Sequence, residues 1–232
     1  MISESVVHAV VAVVYTVATV GCLWALQRVD ETRQQYLRLS TLTIAVGAVT
    51  SVSLVFGVGS LTINGYEVAL PSVVNNLVAY PVLWVITAML ADVDDRLIAA
   101  AALAPFVQVV AFWLSPIYGG VVAIGSLVVV VGSHLLLAVL FLGRIWDASS
   151  SVPEERRLLH WKARNLLLFL IGMFIVFSFL SVAGAFSAFG MLVLNQYVSV
   201  LIRVGFAGFL FANVGALGDA TTAGRDVTAA GD

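Results

Sequence analysis

The chain is 232 residues long, 61% apolar and only 10% charged, with a formal net charge of −2. That composition excludes an ordinary water-soluble domain and points to a polytopic membrane protein whose first partner is the lipid bilayer. The net charge averages over two membrane faces and so says little about other partners; no nucleic-acid partner is expected.

Seven stretches are long enough to cross about 30 Å of hydrocarbon at roughly 1.5 Å per residue. The first, near 5–27, follows Met1-Ile-Ser-Glu-Ser without a preceding basic residue. It also runs too long for a cleaved signal, so it reads as a span. Its Cys22 is the only cysteine in the chain, which rules out an intramolecular disulfide. Further spans fall near 37–60, 70–91, 97–115 and 119–145, the last with His134 at its middle. The sixth lies near 158–185 and the seventh near 190–218, with Arg203 in its interior. Residues 219–232 are mostly Ala, Gly, Thr and Asp without an apolar face, and a disordered tail is expected there. Seven spans with short links make one helical bundle over 1–218. Strands are not expected, because the apolar runs are continuous and do not alternate as barrel strands do.

Basic residues orient the bundle. Arg28, Arg33 and Arg38 follow the first span, and Arg96 follows the third. Arg144, Arg156, Arg157, Lys162 and Arg164 follow the fifth, and Arg225 is in the tail. The expected arrangement is a multi-pass protein of the cell membrane, with its N-terminus outside and its C-terminus cytoplasmic. In this reading the Arg156–Arg164 stretch is an orientation signal.

The sequence carries no metal or nucleotide motif and no nucleophile motif, and no enzymatic activity is expected. His134 is expected to be neutral and hydrogen-bonded to a neighbouring helix, since no span supplies an acid for a proton relay. Arg203 stands apart. A charge at bilayer depth costs roughly 2.5–3.5 kcal/mol on insertion scales, and no Asp or Glu within a span can pair with it.

Local sequence narrows the choice among seven-helix folds. Asn75-Asn-Leu-Val-Ala-Tyr-Pro-Val-Leu-Trp, followed by Met89-Leu-Ala-Asp-Val-Asp-Asp, resembles the third helix of the archaeal microbial rhodopsins. There a Thr-Thr-Pro-Leu-Leu-Leu core leads into an acidic turn. Trp161-Lys-Ala-Arg-Asn resembles the entry to that family's sixth helix, and Gly120-Val-Val-Ala-Ile-Gly-Ser suits its fifth. Arg203-Val-Gly-Phe-Ala-Gly resembles its seventh-helix Lys-Val-Gly-Phe-Gly signature. The resemblance runs along nearly the whole chain and implies an all-α membrane fold, the seven-helix bundle of the microbial rhodopsins.

Carried over residue by residue, the resemblance implies that the family's working groups are replaced. The carboxylate beside the chromophore falls on Asn75, a pocket tryptophan on Asn76, the exit-path arginine on Ser72 and the proton donor on Ile86. The pocket positions of the fifth and sixth helices fall on Val122, Ile171, Phe174 and Ser178, with Ile175 at the kink proline. The second carboxylate falls on Ser199, and the retinal-bearing lysine on Arg203. A Schiff base needs a neutral amine, whereas a guanidinium stays protonated and forms no such adduct. Covalent retinal is therefore not expected as a cofactor, and neither is a light-driven pump. Two arrangements are open at Arg203. One is a neutral hydrogen-bond network with Asn75, Asn76, Tyr80 and Ser199; the other is an anion site, with chloride as the ligand. For the whole protein the leading expectation is a binding or regulatory role. By analogy with haloarchaeal apo-opsins, its partner would be a membrane enzyme of carotenoid or retinal synthesis. Light-independent anion binding or transport centred on Arg203 is the alternative, and noncovalent binding of retinal or another polyene is the third. A second copy of the chain is a further candidate partner.

Overall fold

The computed structural model describes residues 3–218, so the tail expected over 219–232 lies outside the described residues. The long helices are α1 (Glu4–Leu26), α2 (Glu31–Val55), α3 (Leu70–Met89), α4 (Asp95–Tyr118) and α5 (Gly120–Leu142). A short α6 (Arg144–Ala148) and one 3₁₀ turn lead into α7 (Glu154–Val182). The last span is built from α8 (Ala188–Val200), a π-helical turn (Leu201–Gly205) and α9 (Phe206–Ala212). Counting that last composite once, seven of the described helices are long and apolar enough to cross a membrane.

Local chemistry sets the helix ends. Ser3 caps α1 at the Val6 amide, Asp94 caps α4 at the Leu97 amide (2.9 Å), and Ser187 caps α8 at the Gly190 amide (3.1 Å). Pro71 occupies the first turn of α3, where its missing N–H costs nothing. Gly119 and Gly120, at φ 61° and 51°, make the turn between α4 and α5. α2 begins at Glu31, ahead of the expected residue 37. Its first turns are polar but helical, and apolarity alone does not register them.

The link between α2 and α3 corrects the expectation that strands are absent. Ser60–Ile63 and Tyr66–Ala69 pair antiparallel, with Ile63 opposite Tyr66. Asn64 (φ 53°) and Gly65 (φ 79°) form a two-residue turn whose positive φ values match the primed hairpin turns. An Asn-Gly pair between two short apolar runs is the signal for this hairpin.

The basic stretch beyond α5 is also more than an orientation signal. Arg156, His160 and Arg164 recur every four residues on one face of α7 and are buried. Arg156 donates to the Leu90 carbonyl (3.1 Å), the Met89 carbonyl (2.7 Å) and the Tyr36 hydroxyl (2.8 Å). His160 Nδ1 bonds the Thr87 carbonyl at 2.8 Å, and Arg164 donates to the Phe141 carbonyl at 3.2 Å. These carbonyls lie at the C-terminal ends of α3 and α5, where the side-chain donors satisfy end-of-helix acceptors and the two arginines complement the helix dipole. Trp146 stacks against the guanidinium groups of Arg157 (4.5 Å) and Arg164 (4.7 Å). That end of the bundle is therefore closed by buried contacts.

Between this end and the middle of the bundle lies the apolar core. Leu83, Trp84, Ile86, Leu137, Phe141, Ile202 and Phe206 are all fully buried. The Trp84 and Phe141 rings meet at 4.6 Å. Counted along α3 from Tyr80 to Leu90, this layer is about 15 Å thick.

Candidate functional site

Arg203 sits in the π-helical turn of the last span and is completely buried. Single π turns inside α-helices recur at functional sites. Arg203 Nη1 donates to Ser199 at two atoms, the hydroxyl and the carbonyl (3.2 Å), and to the Tyr15 hydroxyl at 3.3 Å. Nη2 donates to Asn76 Oδ1 at 2.9 Å. The Tyr80 ring faces the guanidinium with its centroid 5.5 Å away, within cation–π range. Nε has no hydrogen-bond partner. Among the described residues, every group touching this cation is neutral.

Three of the four residues expected around Arg203 are therefore in contact with it. Tyr80 engages through its ring face, where a hydrogen bond was expected. Asn75 is the exception: its Oδ1 is buried without a partner and does not reach the guanidinium. Adjacent residues on a helix differ by about 100° in direction, so Asn76 facing Arg203 turns Asn75 elsewhere. Tyr15 is the residue that sequence reasoning missed. It is fully buried and shares a 3.0 Å hydrogen bond with Ser199 Oγ. Gly47 of α2 makes room for it, because a Cβ there would stand 3.1 Å from the tyrosine ring. A bulky polar aromatic in the middle of the first span was the available clue.

Above Arg203 lies a cavity of about 560 Å³. Asn76, Tyr80 and Ser199 belong to its lining, so the residues that hold the guanidinium also separate it from the open space. The cavity extends past Ser72 and Asn75 toward Tyr66 and Ala69 of the hairpin. None of its lining residues is Asp, Glu, Lys or Arg. Phe174, Ile175 and Ser178 of α7 line it as the resemblance implied, but two other implied pocket positions do not. Val122 is half-exposed and faces an outer groove between α4 and α5, and Ile171 is buried in the core. Ile86 is likewise buried in the apolar layer. His134 packs against α7, where its Nε2 would lie 3.1 Å from a Cβ at Gly172 and its ring engages the Leu168 backbone. The chain's single lysine, Lys162, is exposed on α7 near the closed end of the bundle.

No protein-family model matches the chain, and no curated protein matches it in sequence. Solved structures do match. Cyanorhodopsin from Calothrix sp. superposes with a TM-score of 0.85 at 16% identity, over 94% of this chain and 97% of that one. Thermophilic rhodopsin from Rubrobacter xylanophilus gives 0.83 at 16% identity, over 93% and 97% of the two chains. A light-driven proton pump from Leptosphaeria maculans gives 0.83 at 14% identity, over 94% and 98%. At these identities the likeness speaks for architecture, and nearly complete coverage in both directions extends it to the whole bundle. The chain is a multi-pass membrane protein with the seven-helix fold of the microbial rhodopsins.

Proposed function

We propose that this chain is a noncovalent binding or regulatory protein built on the rhodopsin fold, that it carries no covalent retinal, and that it is not a light-driven pump. The observation behind this reading is the buried guanidinium of Arg203, paired only with neutral groups at the inner end of the cavity. Neither that guanidinium nor exposed Lys162 offers the cavity a neutral amine, so the residues present do not suit a retinal Schiff base. Two hydrogen bonds from a charged donor are worth about 1.5–3 kcal/mol each, which offsets the roughly 2.5–3.5 kcal/mol of placing the charge at this depth. The neutral network is therefore a sufficient account of the buried cation. The layer of about 15 Å below Arg203 favours binding over passage, because besides the Trp84 indole and the Thr87 hydroxyl it offers mainly packed apolar side chains to a crossing ion.

The reading places the N-terminus and the hairpin outside and the buried arginine cluster at the cytoplasmic face. Its test is incubation of the purified protein with all-trans-retinal followed by borohydride reduction. No retinal should remain attached after denaturation, and a stoichiometric reduced adduct would sink the proposal. Noncovalent polyene binding would register in the same titration as a protein-dependent absorbance shift without an adduct. The proposed regulatory partner is a membrane enzyme of carotenoid or retinal synthesis. Deleting the gene should then alter the cell's pigment profile, and an unchanged profile removes that version.

A second reading rests on Arg203 Nε, which lacks a partner. A small anion such as chloride beside it would supply the missing counter-charge.

A further inference from the structure

We infer that the cavity takes a neutral amphiphile with a hydroxyl-bearing head; this inference rests on the noncovalent-binding reading and names its ligand class. Four lining residues on four helices each keep one buried polar atom without a partner: His8 Nδ1 on α1, Asn75 Oδ1 on α3, Trp113 Nε1 on α4 and Asn195 Oδ1 on α8. Buried polar groups inside a bundle are normally hydrogen-bonded, and all four belong to residues that line one space. The asparagine and histidine side chains satisfy either a donor or an acceptor by rotating about their terminal torsion, and the indole supplies a donor. A head with several hydroxyl groups, each both donor and acceptor, matches that set.

The opposite wall is different. α5 and α7 contribute Leu127, Val130, Phe174, Ile175 and Phe179, and Ser178 turns its hydroxyl back to the Phe174 carbonyl at 2.9 Å. The amides of the lining, Asn75, Asn76, Asn195 and Gln196, thus gather on α3 and α8, whereas α5 and α7 add only serine hydroxyls among apolar side chains. A hydrocarbon would leave the four polar atoms unpaired. A charged ligand would find no opposite charge in the lining, because Arg203 is fully covered by Asn76, Tyr80 and Ser199. The volume of about 560 Å³ falls in the usual range for small-molecule sites. Access from the bilayer is short at Ser126, which lines both the cavity and the outer apolar groove between α4 and α5.

The test compares equilibrium binding of three radiolabelled probes with one chain length, 1-dodecanoylglycerol, dodecanoate and dodecane, to the protein in lipid nanodiscs. The glycerol ester should bind saturably, with a Kd at least about tenfold below those of the acid and the alkane. Trp113→Phe keeps the aromatic bulk and removes the donor, and Asn195→Leu removes an amide. Each should narrow that preference, and Trp113→Phe carries the test if the leucine variant does not fold. Equal binding of all three probes, or an undiminished preference in folded variants, overturns the ligand class while leaving noncovalent binding in place. Binding of none of the three, as in a cavity filled by water alone, overturns it as well. A retinal adduct on the unmodified protein would instead overturn the reading beneath it.

Discussion

Asn76→Asp is expected to stabilise the protein more than any other single change at the site. Asn76 Oδ1 accepts from Arg203 Nη2 at 2.9 Å, so a carboxylate there meets an already aligned donor. It converts a charge-to-neutral hydrogen bond into one between opposite charges and gives the buried guanidinium its missing partner. Buried pairs gain only where the geometry is already good and the desolvation cost is limited; here the donor is aligned, and the cation's share of that cost is already met because Arg203 is fully buried. The expected gain is about 1.5–3 kcal/mol, read as a higher Tm in detergent. Asn76→Leu should do the reverse, losing about 1–3 kcal/mol by leaving Nη2 without an acceptor. Asn75→Asp should gain much less, because Asn75 does not contact the guanidinium. Equal gains at the two positions would refute the assignment of Asn76 as the partner. The same series decides the anion question. If chloride sits beside Nε, the Tm of the unmodified protein rises with chloride, and Asn76→Asp removes that dependence by taking the ion's place. A Tm that is flat in chloride leaves the neutral network as the full account.

The contrast between Asn75 and Asn76 marks where sequence reasoning stops. That Arg203 needed partners followed from one charge in an apolar span. Ser199 as a partner followed from a separation of four residues on one helix. Choosing between two adjacent asparagines requires the rotation of α3 relative to the last span, which packing alone decides. Tyr15 was harder still, since its partner is Ser199 of α8 and its space is made by Gly47 of α2. The arginines of α7 were legible as charge and not as caps, because the carbonyls they serve end α3 and α5, far away in sequence. The seven long helices were legible because apolarity averaged over twenty residues is insensitive to such detail. Even so, the polar first turns of α2 escaped it, and so did the hairpin, whose Asn64-Gly65 signal is local and has nothing to do with hydropathy.

Arg203→Lys is expected to give a protein that holds retinal covalently, where the proposed reading has the unmodified chain hold none. The change replaces a permanently protonated guanidinium with an amine that loses its proton readily in a dry setting, and an aldehyde can be attacked by the neutral form. It also shortens the side chain, opening space behind Asn76, Tyr80 and Ser199 next to a cavity of about 560 Å³. After incubation with all-trans-retinal, borohydride should trap about one adduct per chain in this variant and none in the unmodified protein. The absorbance should separate two further expectations. With only Tyr15, Asn76, Tyr80 and Ser199 nearby, nothing anionic stabilises a protonated linkage, so the single variant should absorb in the near ultraviolet as the neutral form. Adding Asn76→Asp to Arg203→Lys should protonate the linkage and move the band into the visible, since a carboxylate within a few ångströms favours the charged state. A visible band in the single variant would mean that the site holds an anion not supplied by these side chains. That outcome would favour the anion reading over the neutral network. Failure to form any adduct would mean that the cavity does not reach position 203, and the ligand site would then end at the layer formed by Asn76, Tyr80 and Ser199.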